Sequence, residues 1–197
     1  MGRQRGSGSR VRGATNERSW GTIIIIAAVV AIIVAFVTVV VLDFRSGAAG
    51  GPPGGVEDIE VGEAGQHTEG EVNYDQTPPA GGEHNPDWQN AGFYSEPVTN
   101  ENAVHTLEHG AVWITYNPDL PQGQVDELQQ IANNRECVLV SPYPDLGSPV
   151  VASAWGKQLD LEGAEDPALN RFIGTSLQGE QTPEPGAACT GGVGEPS

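Results

Sequence analysis

Methionine is absent after Met1, and cysteine occurs only at Cys137 and Cys189. The first scarcity removes thioether-rich Cu(I) sites. The second, with no C-x-x-C pair, gives no support for a thioredoxin-like redox motif. Basic residues are also rare: from Asp43 to the end, four stand against twenty-five acidic ones. So acidic a segment argues against electrostatic binding to nucleic acid or to an anionic membrane surface. There is no phosphate loop, no dinucleotide fingerprint and no Gly-x-Ser-x-Gly, and no repeat is visible. Histidine is missing after His109, because all four (His67, His84, His105, His109) fall within residues 67–109.

What the chain does have is one long apolar run. Residues 22–42 are 21 positions without a charge, about the length of a bilayer-spanning helix. Their Ile and Val content suits a helix poorly in water. In lipid, an isolated segment closes its backbone hydrogen bonds only as a helix. Trp20 and Phe44 flank the run as interfacial aromatics. Arg3, Arg5, Arg10, Arg12 and Arg18 precede it with one acid, Glu17, so the N-terminus is expected in the cytoplasm and the C-terminal part outside. A cleaved signal peptide is the competing reading. Its apolar core is normally shorter and runs into a small-residue cleavage site, whereas Asp43-Phe44-Arg45 follows here. The expectation is a single-pass cell-membrane anchor.

The rest divides by composition. Residues 1–21 read as a disordered tail and 43–65 as a Gly/Pro/acidic linker. Residues 66–189 have the length of one folded domain, and 190–197 look frayed. Cys137 and Cys189 beyond a membrane segment fit a disulfide, since oxidising compartments favour pairing of an even count. Ala111–Tyr116 reads as a central strand, and Gln122–Asn133 as a helix with Val125, Leu128, Ile131 and Ala132 inward. Cys137–Val140 is a second strand. Pro149–Trp155 is a third, compatible with a sheet edge because of its proline. A final helix opens at Asp166-Pro167, with Leu169, Phe172, Ile173 and Leu177 inward. Residues 66–100 are turn-rich. The expected class is α+β: an N-terminal transmembrane helix, then a small sheet-plus-helices domain with a loop-rich front.

The densest chemistry is Val104-His105-Thr106-Leu107-Glu108-His109-Gly110. His105 and His109 share a face in either a helix or a strand, whereas Glu108 shares the face of His105 only in a helix. Histidines gathered in a loop-rich region are ligands suited to Zn²⁺ or Cu²⁺. The expected set is His84, His105 and His109, with His67 as a further member. Glu108, or a nearby acid such as Glu83, can ligate or support. The plainer alternative is that these histidines only pack and hydrogen-bond. His105 to His109 also matches H-x-x-E-H, the inverted zinc-peptidase signature. Gly110 and a β-rich run follow at once, leaving room for only a short helix.

Several of these stretches resemble a known family. Tyr74-x-x-x-Pro78-Pro79-x-x-Gly82-x-His84, Gly92-Phe93-Tyr94 and Val104-His105-x-Leu107-Glu108-His109-Gly110-x-Val112-x-Ile114-x-Tyr116 are similar to bacterial domain-of-unknown-function family 3105 (DUF 3105). Ser141-Pro142, Ala154-Trp155-Gly156 and Phe172-Ile173 also fit, so the resemblance covers roughly residues 66–189. Where the family usually has Pro-Pro-Thr-Ser-Gly-Pro-His, this chain has Pro78-Pro79-Ala80-Gly81-Gly82-Glu83-His84, keeping the histidine but not the hydroxyls. The resemblance implies a membrane-anchored layout and no settled function. Together the residues suggest a metal-binding or envelope-associated module without enzymatic activity. The alternatives are a metal-dependent hydrolase with Glu108 as general base and an interaction domain with structural histidines.

Overall fold

A computed structural model describes residues 23–34, 38 and 51–197. The expected tail (1–21), the first part of the linker (43–50) and parts of the apolar run lie outside the described residues. The chain separates into two compact units, Met1–Phe44 and Arg45–Ser197. In the first, residues 23–34 are helical, with exposed isoleucines such as Ile24 and Ile32. Among the described residues, no helix is long and apolar enough to cross a membrane.

The second unit is α+β, with a mixed six-stranded sheet. In chain order the strands are β1 (Glu57–Asp58), β2 (Gly92–Phe93), β3 (Val112–Tyr116), β4 (Val138–Pro142), β5 (Val150–Ala154) and β6 (Lys157–Leu161). The helices are α1 (Asn100–Glu108), α2 (Gln122–Asn133) and α3 (Pro167–Ser176). Across the sheet the order is β1-β6-β5-β3-β4-β2. β4 pairs in parallel with β3 and β2, and the remaining pairings are antiparallel. Parallel β3 and β4 require a crossover, and α2 supplies it.

β3 is buried throughout, and apolar apart from Thr115, because both faces of the sheet are covered. Val112, Ile114 and Tyr116 pack with Leu128 of α2 and Leu169, Phe172 and Ile173 of α3. Trp113, one residue out of phase, packs on the opposite face with Ala103, Val104 and Leu107 of α1 and with Leu139 and Trp155. The period of two along the strand thus separates two cores. Asp166 caps α3, its carboxylate accepting the Ala168 N–H at 2.8 Å, as an N-cap aspartate does.

Four expectations differ from the structure. The segment read as linker contributes β1, whose Glu57 and Asp58 pair with Gln158 and Lys157. β5 is interior, between β3 and β6, and Pro149 sits just before it, where no ladder N–H is needed. β6 follows a tight Trp155-Gly156 turn, with Gly156 at φ 66°. Its alternating Lys157-Gln158-Leu159-Asp160-Leu161 was the signal for it. The stretch 190–197 is paired rather than frayed: the Val193 N–H bonds the Trp88 carbonyl at 2.9 Å and the Ser197 N–H bonds the Phe93 carbonyl at 2.8 Å.

Cys137 and Cys189 form a disulfide, with Cα atoms 5.2 Å apart. The bridge ties the start of β4 to the C-terminal segment.

A candidate metal centre of three histidines and a glutamate

The His105–His109 stretch lies in α1 and its C-terminal cap. The helix ends at His109, followed by Gly110 at φ 91°. Gly110 N–H bonds the Leu107 carbonyl at 2.9 Å and Ala111 N–H bonds the Thr106 carbonyl at 3.1 Å, the paired bonds of a Schellman motif. A β-carbon at Gly110 would lie 2.7 Å from Thr182 Cγ2, so space as well as dihedral calls for glycine. The loop of residues 85–89 runs along α1. Asn85 N–H bonds the Glu101 carbonyl at 3.3 Å, Gln89 N–H bonds the Asn102 carbonyl at 3.0 Å, and Thr106 Oγ1 donates to the Gln89 carbonyl at 2.7 Å.

This arrangement places three imidazoles in a near-equilateral triangle. The His67–His84, His67–His105 and His84–His105 ring centroids are 4.9, 5.0 and 4.9 Å apart. Glu108 joins them, and one donor atom from each of His67, His84, His105 and Glu108 lies within 4.8 Å of all the others. His84 comes from the turn after Pro78-Pro79. His67 arrives through an isolated parallel bridge to His84.

His84 and His105 are oriented by backbone carbonyls. His84 Nδ1 faces the Gly82 oxygen at 2.7 Å and His105 Nδ1 faces the Asn85 oxygen at 2.7 Å. A carbonyl only accepts, so each Nδ1 carries the proton. In the neutral ring this leaves Nε2 as a free lone pair, the state in which histidine binds metals. Burial holds His105 below the ordinary histidine value. Nearby His109, His84 and His67 push the same way, against the Asn85 hydrogen bond. His105 is therefore neutral near pH 7.

Glu108 is fully buried, and a buried carboxylate needs compensation. Its Oε1 accepts the Gly65 N–H at 2.6 Å. Its Oε2 lies 3.1 Å from His84 Nε2 and 3.8 Å from His67 Nε2. With Nδ1 of His84 already donating, Nε2 and Oε2 are two acceptors in contact unless a proton or a cation lies between them. A single proton satisfies one such pair. A divalent cation satisfies all four donors at once.

His109 lies beside this set rather than within it. Its ring packs against His105 at 4.6 Å and Trp88 at 5.0 Å. Its Nδ1 donates to the Ala188 carbonyl at 2.6 Å, and its Nε2 faces Glu184 Oε2 at 3.5 Å. Helix geometry explains the division. At about 100° per residue, positions 108 and 109 fall on opposite sides of 105, roughly 60° and 40° away. Glu108 is turned toward His84 and His67, and His109 toward the C-terminal segment. The cluster therefore differs from the expected set in one member: His84, His105 and the further member His67 are in it and Glu108 supplies a donor, but His109 is outside. Glu83, the other acid considered, is exposed and is not in the group.

Fold and site together define a small α+β domain with a buried His/Glu cluster able to hold a metal ion. Over residues 66–191 the chain matches the family described as "Protein of unknown function (DUF3105)", and it belongs to that family. No curated protein and no solved structure matches it.

Proposed function

We propose that this chain is a membrane-anchored, extracytoplasmic metal-binding module that holds one Zn²⁺ or Cu²⁺ through His67, His84, His105 and Glu108. The observation that carries the reading is the 3.1 Å contact of His84 Nε2 with Glu108 Oε2, two buried groups that need a proton or a cation between them, inside a triangle of imidazoles that a single proton does not satisfy. Three nitrogens and a carboxylate oxygen suit these borderline ions better than Mg²⁺ or Ca²⁺, which prefer oxygen. Glu108 supports a binding role over hydrolysis. Its two oxygens are taken up by the Gly65 N–H and the histidines, so it is not free to serve as the base for a metal-bound water. The anchor and its orientation rest on the uncharged run at 22–42 and the five arginines before it.

The test is metal analysis and calorimetric titration of the purified chain after chelator treatment. One Zn²⁺ or Cu²⁺ per chain is expected. Absence of stoichiometric binding of either ion overturns the reading, leaving a structural histidine cluster.

A further inference from the structure

Of the four donors, only His67 is exposed, with 41% of its side chain open to solvent. It is also the only one carried by residues 62–71. That segment has little apolar anchorage. Val61 packs against the Trp113 cluster, but every residue from Gly62 to His67 is exposed. Polar contacts hold the segment. Gly65 N–H bonds Glu108 Oε1 at 2.6 Å, and Thr68 N–H bonds the His84 carbonyl at 2.7 Å. His84 N–H returns a bond to the Gln66 carbonyl at 2.9 Å. Segments with few buried apolar contacts open at low free-energy cost.

The other three donors are fixed. His84, His105 and Glu108 are buried. The Gly82 and Asn85 carbonyls hold the two imidazoles from the side away from the cluster. Glu108 is held by its place in α1, its Oε1 bond being one of the contacts of residues 62–71 themselves. The four donor atoms span up to 4.8 Å, whereas ligands on a tetrahedral ion with bonds of about 2.0–2.1 Å are roughly 3.4 Å apart. Closing that difference falls to His67, because its backbone alone has room to move.

Building on the metal-site reading, we propose that metal binding clasps residues 62–71 onto the domain through His67. Metal occupancy at a buried centre is thereby displayed on the surface as the order of this strap and of its exposed Glu63 and Glu69. Without metal the strap opens locally while the sheet stays folded.

The test is hydrogen exchange of the full-length chain, stripped with chelator and then given Zn²⁺ alone, with metal content measured on the same samples. Zn²⁺ should slow exchange across residues 62–71 by at least about tenfold, toward a ceiling of about a hundredfold when free Zn²⁺ is 100 times Kd. Amides of β3 should be protected with or without Zn²⁺. His67→Ala should remove the slowing while leaving β3 protection intact. If Zn²⁺ binds one to one and the strap exchanges at the same rate with and without it, the clasp is wrong and the metal site stands. Slowing that persists in His67→Ala also overturns the clasp. If no Zn²⁺ binds, the clasp and the Zn²⁺ site fall together.

Discussion

His84 Nε2 and Glu108 Oε2 face each other at 3.1 Å, with neither side chain reaching solvent, although 24 residues separate them in the chain. Each is also held from behind by backbone, the imidazole by the Gly82 carbonyl and the carboxylate by the Gly65 N–H. The pair is therefore held in place while residues 62–71 lie against the domain. That is the preorganisation a metal centre needs.

Glu108→Gln keeps the shape and removes the charge. Loss of a supporting group beyond the ligands costs about 10–100-fold in affinity, so loss of a ligand charge should exceed that range. We expect the Kd for Zn²⁺ to rise by more than about 100-fold, measured by competition with a chromogenic chelator. An unchanged Kd removes Glu108 from the ligand set.

His105→Ala and His109→Ala should behave differently although the two residues are one helical turn apart. The first is expected to abolish one-to-one binding. The second should keep the stoichiometry, with an affinity change of about tenfold at most, the lower end for outer-shell contacts. Metal content of the two purified variants decides it, and loss of metal in both restores His109 to the ligand set.

Gly110→Ala should destabilise the domain by about 1–3 kcal/mol, the usual cost of forcing a side chain into such a backbone region. The cause is φ 91° together with the 2.7 Å approach to Thr182 Cγ2. Urea denaturation measures it, and a variant as stable as the parent contradicts the packing described around the helix cap.

Opening the Cys137–Cys189 bridge, which spans 52 positions, should cost about 4 kcal/mol on the chain-entropy account. Urea midpoints with and without reductant give the value. A shift near zero means that the unfolded chain is little constrained by the bridge.

A reporter fused after Ser197 should be active only outside the cytoplasm, given the arginines before residue 22. Reporter activity inside the cell reverses the proposed orientation.

The strands and helices built on apolar periodicity were legible in the sequence. Val112, Ile114 and Tyr116 against Trp113, and the Val125-Leu128-Ile131-Ala132 stripe, each carry the period of their element, because one face must leave water. Helix α1 was not legible as a helix. Its buried face includes His105, Thr106 and Glu108, and polar residues kept inside for a site erase the pattern that marks a buried face. β1 and β2 are two residues long, too short to show any period.

Local sequence also determined the candidate ligands as residue types: four histidines in one region, a carboxylate between two of them, and a glycine to end the helix. Which of them meet was decided by tertiary structure. The angular step of the helix sends Glu108 and His109 to opposite sides of His105, and only the long-range bridge between His67 and His84 settles which side collects the other imidazoles. That bridge is made by backbone hydrogen bonds between two irregular segments. Such pairing depends on where the sheet and α1 place those segments, and it leaves no periodic trace in the sequence.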